Sequence, residues 1–148
     1  METNSILPIL QKIPLFADLS EAEHKEIIKN VVMNYYPMGH VFFNQGQAVD
    51  GTSCTYIIKR GMVKISRHEV EGGDEKEVTV LADNDFFGEM AFVLNEPRNA
   101  TATAVAECEV FELKKEHFIK LMEESPTSAV KISAEFIHRV KENNTTQS

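Results

Sequence analysis

At 148 residues the chain is long enough for one domain with a real core and short for two. Its 15 basic and 23 acidic residues leave a net charge of −8, which argues against broad contact with nucleic acid or an anionic membrane but not against one small anion at a local site, where nearby donors dominate. No apolar run approaches the roughly 18 residues of a membrane span, the start Met-Glu-Thr-Asn-Ser lacks a secretory basic region, and Cys54 and Cys108 show no metal or redox spacing; together these predict reduced thiols in a cytoplasmic protein.

Residues 6–13, ILPILQKI, predict a short apolar helix that Pro14 ends. Ser20-Glu-Ala-Glu23 is a capping box, in which the Ser20 hydroxyl takes an orphan amide and Glu23 reaches back. The helix it opens carries Ile27, Ile28, Val31 and Val32 on one face. From about residue 35 glycines punctuate short β-branched and aromatic runs, and HVFF, CTYIIK, MVKISR and KEVTVL read as strands. Period-2 alternation pairs Val63 with Ile65 on one face, sets Lys64 and Ser66 on the other, and pairs Val78 with Val80. EGGDEK between the last two runs predicts a hairpin tip. Such closely spaced short strands suggest a β-roll or jelly-roll barrel. ECEVFEL (107–113) predicts a further strand and KKEHFIKLMEE (114–124) a helix. Ser125-Pro126 breaks that helix, and a last helix with apolar stripes is expected over about 127–142.

The segment FFGEMAFVLNEPRNATATA (86–104) is distinct, with one acid and one arginine set among small side chains. Gly88 lets backbone approach a ligand closely, and EMAFVL suits one or two helical turns whose first amides face an anion. Arg98 can meet a phosphate with two parallel hydrogen bonds, a geometry lysine cannot match. Glu89 is an acceptor only, so it suits a hydroxyl donor such as a sugar. Phosphate and hydroxyl in one small pocket describe a nucleotide-like ligand. Each feature has an ordinary alternative: Glu89 as helix-dipole compensation, Arg98 as a solvated loop charge, Gly88 as a turn.

This segment resembles the phosphate-binding cassette of cyclic nucleotide-binding domains, whose pattern is roughly F-G-E-(aliphatic)-A…P-R-x-A-(S/T). IPLFADLSEAEHKEI resembles that family's helical entry, and YPMGHVFFNQGQ and YIIKRGMVKI its glycine-punctuated strands, so the likeness covers about residues 10–140. The resemblance implies an α+β fold over residues 1–148: an eight-stranded, jelly-roll-like β-roll at about 35–113, flanking N- and C-terminal helices (the latter at about 114–142), and a short phosphate-binding helix. It implies a ligand-binding set of Gly88, Glu89, Met90, Ala91, Arg98, Asn99 and Ala100. In that set Glu89 accepts from the ribose 2′-hydroxyl, Arg98 holds the exocyclic phosphate oxygens, and the Ala91 and Asn99 amides complete the cradle. Ile65 and Val78 are implied as an apolar wall near the purine or ribose, with simple core as the alternative. The last helix is expected to close over the base. The chain departs from the pattern twice. Asn84 stands where glycine is usual, and asparagine tolerates left-handed backbone. Asn99 stands where alanine, serine or threonine is usual, which leaves base selectivity open.

The implied function is non-catalytic regulatory binding of cAMP or cGMP, cAMP favoured, with output to an effector protein or a second copy and no resident cofactor. The alternative is the same fold acting as a protein-interaction module after losing nucleotide affinity. A transcription factor is disfavoured by the charge and by the few residues after the last predicted helix. A cupin-like metalloenzyme is disfavoured because His24, His40, His68, His117 and His138 show no pair at metal-ligand spacing.

Overall fold

A computed structural model describes residues 6–17, 19–70 and 73–124. The helix expected over 127–142 lies outside the described residues, as does part of the hairpin tip.

The chain enters through α1 (Ile6–Lys12), α2 (Pro14–Ala17) and α3 (Glu21–Asn30). Pro14 ends α1 as expected and also opens α2, because the first helical position needs no amide hydrogen. The Ser20 capping box forms: the Glu23 amide donates to Ser20 Oγ at 3.1 Å and the Ser20 amide to Glu23 Oε1 at 2.9 Å. Sequence periodicity gave no hint of His24, which is buried and has its Nε2 2.6 Å from the Phe16 carbonyl, tying α3 to α2.

Among the described residues eight strands follow: β1 (Val32–Tyr36), β2 (Val41–Phe43), β3 (Cys54–Arg60), β4 (Val63–Arg67), β5 (Lys76–Leu81), β6 (Phe86–Phe87), β7 (Thr101–Ala104) and β8 (Cys108–Lys114). α4 (Met90–Leu94) lies between β6 and β7, and α5 (Lys115–Glu124) follows β8. All pairings are antiparallel, in two sheets ordered β1-β8-β3-β6 and β2-β7-β4-β5. This is the expected jelly-roll-like β-roll.

β3, β6 and β8 of the first sheet lie between two cores, and alternation sorts their apolar side chains between them. Ile57, Phe86, Phe111 and Leu113 turn to the helices, against Phe16, Ile27, Phe92 and Phe118. Ile58, Phe87 and Val110 turn inward, against Phe42, Phe43, Val63, Ala102 and Ala104 of the second sheet. The small residues of β7 thus serve an inner face crowded by phenylalanines. Gly61, between β3 and β4, has φ +134°, and a Cβ there would stand 2.6 Å from Cys108 Sγ.

Three local expectations change. Val32 leaves the α3 face, begins β1, and is exposed, because the helix stops at Asn30 with Val31 as an extended cap. β6 and β7 fall within the 86–104 segment, where the sequence reading located only a short helix and did not place individual strands. The alternation in β4 and β5 is broken by a bulge: Ile65 faces Thr79, Ser66 faces Glu77, and Val78 is the extra residue. Val80, opposite Lys64, is exposed; Val63 pairs with Leu81, which packs against the inner core, and Ile65 with Thr79, which is exposed. Ser66 is buried rather than solvent-facing. The chain around Gln45 runs beside it, with the Gln45 amide on Thr101 Oγ1 and the Gln45 side chain on the His68 backbone.

A groove of about 370 Å³ lies between α3 and α5, lined by Ile27, Leu113, Leu121, Glu26 and Lys120 among others. Neither Glu89 nor Arg98 lines it. Among the described residues no helix is long and apolar enough to cross a membrane, and no group of three histidine, cysteine or acidic side chains is gathered as a metal site would need.

Candidate ligand-binding site

β6 delivers Phe87 into the inner core, and the Thr55 hydroxyl holds the Phe87 carbonyl at 2.7 Å. The next residue, Gly88, has φ +90°. A Cβ there would stand 3.3 Å from both Arg98 Nη1 and the Cys54 carbonyl and 3.4 Å from the Phe43 ring. Only glycine takes this backbone and this space without strain. Glu89 is the N-cap of α4, and Asn95 closes that helix in the left-handed conformation at φ 55°. Asn84, at the departure from glycine, has φ 72°, as its tolerance of left-handed backbone predicts.

Pro97 leads into Arg98, whose backbone is pinned on both sides: its amide donates to the Gln47 carbonyl at 2.9 Å and its carbonyl accepts from the Gly46 amide at 2.7 Å. The side chain turns inward. Nη1 donates to the Gly88 carbonyl at 2.6 Å and Nη2 to the Cys54 carbonyl at 3.0 Å. The guanidinium Cζ lies 4.1 Å from the Phe43 ring centroid and 5.1 Å from that of Phe92.

Glu89 is 3% exposed and Arg98 5%. A solvated loop charge is therefore the wrong description of Arg98. Glu89, at the N-cap of α4, makes no side-chain capping bond. Burial disfavours the charged guanidinium and draws its pKa down; Tyr56, Cys54 and the nearby Glu89 carboxylate act in the opposite sense. Chemically, the buried arginine offers donors to an anion and the buried carboxylate offers acceptors to a hydroxyl.

The remaining expected residues differ in exposure. Ala91 and Ala100 are buried, Met90 is half-buried and Asn99 is exposed. Ile65 is half-buried against the inner core, and Val78 is the half-buried bulge residue. Sequence reading missed Phe43, Phe92 and the Cys54 carbonyl, because nothing local marks residues of β2, α4 and β3 as neighbours of one guanidinium. It also missed a polar cluster beyond Tyr56, where Glu112 accepts from Tyr36 Oη and, at 2.8 Å, from Asn34 Nδ2. Burial, then the Glu112 carboxylate, raises the Tyr36 hydroxyl; burial also pushes Tyr56 up to about 12 and raises the Cys54 thiol.

The model of the cyclic nucleotide-binding domain matches residues 33–125. The chain belongs to that family. The cyclic nucleotide-binding domain described here is 36% identical over 125 residues to the cGMP-dependent protein kinase egl-4 of Caenorhabditis briggsae, covering 82% of this chain and 16% of the kinase. It is 30% identical over 129 residues to the Cyclic AMP receptor protein of Thermus thermophilus, covering 87% of this chain and 58% of that protein. Among solved structures, the regulatory domain of Toxoplasma gondii PKA with cAMP superposes with a TM-score of 0.73 at 28% identity, covering 81% of this chain and 44% of that one. The chain thus spans only part of each of these relatives.

Proposed function

We propose that this chain is a non-catalytic regulatory module that binds a 3′,5′-cyclic nucleotide, with cAMP ranked ahead of cGMP. The observation that carries the proposal is the joint burial of Glu89 and Arg98 around Gly88, inside the family's cassette. Arg98 is assigned the exocyclic phosphate oxygens, Glu89 the ribose 2′-hydroxyl, and the Ala91 and Asn99 amides the rest of the phosphate cradle. Gly88, Met90 and Ala100 line it, and Ile65 and Val78 flank the ribose or purine. Relatives named for cAMP and for cGMP both occur, so the ranking is decided by calorimetry with the two nucleotides. The output passes to an effector protein or a second copy. With Cys54 and Cys108 both free thiols, we take the setting to be the cytoplasm.

Calorimetry with cAMP, cGMP and 2′-deoxy-cAMP tests the reading. The native protein is expected to bind cAMP, and to bind the 2′-deoxy analogue more weakly by about 1–3 kcal/mol, the cost of a lost hydrogen bond to a charged acceptor. Glu89→Ala should bind both about equally, whereas Arg98→Ala should still discriminate. A 2′-hydroxyl preference undiminished in Glu89→Ala rejects the assignment of Glu89. No heat or displacement with either parent nucleotide favours the protein-interaction alternative.

A further inference from the structure

The arginine is held by more than its two hydrogen bonds. A guanidinium within about 6 Å of a ring centroid is drawn to the negative face of the π system, and more strongly when both are out of water. Arg98 lies within that distance of both Phe43 and Phe92, which are 6% and 4% exposed. Phe43 is backed by Phe87 and Tyr56, with ring centroids at 6.1 and 6.3 Å. Gly88 lies on a third side, where a Cβ would stand 3.3 Å from Arg98 Nη1 and 3.4 Å from the Phe43 ring.

This arrangement solves a specific problem. A buried cation needs stabilising, but a carboxylate hydrogen-bonded to the guanidinium would compete with an incoming anion. Here the hydrogen bonds go to two neutral carbonyls, and the ring faces add partial negative charge to that of the nearby Glu89 carboxylate. Arginine has five N–H donors, and the two carbonyls occupy one on each terminal nitrogen, so donors remain for a ligand. We propose that Phe43 and Phe92 are positioning residues for anion recognition at Arg98: their ring faces hold the guanidinium in the orientation set by the Gly88 and Cys54 carbonyls, so the remaining donors meet the ligand already ordered. The proposal rests on the cyclic-nucleotide reading of the site. An aliphatic side chain of similar volume at either position would fill the space and lack the attractive face.

The test replaces Phe43 in the full chain with 4-fluoro-, 3,5-difluoro- and 3,4,5-trifluorophenylalanine. Fluorine drains the ring face while changing its size little. Titrated with cAMP and cGMP, the series should show Kd rising stepwise, by about three- to tenfold at the trifluoro ring; this is less than the whole attraction, because the ring stays beside the arginine in both free and bound states. In an Arg98→Ala background the series should leave Kd unchanged. A flat series in the native background, or an equal slope without Arg98, overturns the proposal and shows that the ring acts through packing alone. The ring contact is also read in the unliganded protein, which separates its failure from that of the nucleotide reading. The Arg98 Nε–Hε resonance should be shielded, and should move downfield and exchange faster with water in Phe43→Leu and in Phe92→Leu. A resonance unmoved in both variants overturns the proposal whatever the nucleotides do.

Discussion

Replacing Arg98 perturbs folding and binding through different atoms, so the two effects can be worked out separately. Without ligand, Arg98→Ala removes charge-assisted bonds of 2.6 and 3.0 Å to the Gly88 and Cys54 carbonyls. Each such bond is worth about 1.5–3 kcal/mol net, part of which is recovered because a buried cation no longer needs to be desolvated. A loss of about 2–4 kcal/mol is expected, which lowers the melting temperature of a domain this size by roughly 5–15 °C. With ligand, a desolvated phosphate loses its charged partner, at about 2–5 kcal/mol, or roughly thirty-fold to several thousand-fold in Kd. Arg98→Lys should recover only part of each, because one ammonium keeps the charge but cannot bond both carbonyls and offer a planar fork. Thermal melts and cAMP calorimetry on the native protein and both variants give all six numbers. An Arg98→Ala protein that melts as the native does refutes the two-carbonyl anchorage. One that melts lower yet binds cAMP within about threefold of native refutes the contact with phosphate.

Gly88→Ala forces a side chain onto a backbone at φ +90° and against Arg98 and the Cys54 carbonyl; a stability loss of about 1–3 kcal/mol and a clear fall in cAMP affinity are expected, measured by urea unfolding and calorimetry. Tyr56, pushed up to about 12 by burial and then by Cys54 and Glu112, keeps its proton in the folded chain after the unfolded chain has lost it near pH 10. Its contribution is therefore present below pH 10 and lost as pH rises towards 12, a fall on the order of 2 kcal/mol that Tyr56→Phe should remove; denaturant unfolding across that window showing the same slope in both proteins excludes this. Ser20→Ala removes the hydroxyl half of the capping box, the bond from the Glu23 amide, while the residue-20 amide can still donate to Glu23; it should cost about 1 kcal/mol in urea unfolding, with cAMP affinity unchanged.

The sequence alone carried whatever depends on neighbours in the chain. The Ser20 box and the strand runs from Val41 to Leu81 follow from local side-chain chemistry, backbone preference and periodicity, which consecutive residues spell out, and the cassette around Gly88 is legible through its resemblance to a family pattern. Where two local signals overlapped, sequence misassigned the boundary: Val32 fits the apolar stripe of α3 as well as a strand, and pairing with Glu112 on β8 decides the matter. A period of two also cannot foresee a bulge, since the extra residue Val78 exists only because β5 pairs with β4. The site shows the same division. Glu89 and Arg98 are legible as an acid and a base of suitable chemistry, but their burial is not. It arises when β3, β6 and β2 close around residue 98 and bring the Cys54 carbonyl, the Gly88 carbonyl and the Phe43 ring to one guanidinium. Contacts between residues so far apart in the chain are set by how the two sheets close on each other, and no stretch of consecutive residues encodes that closure.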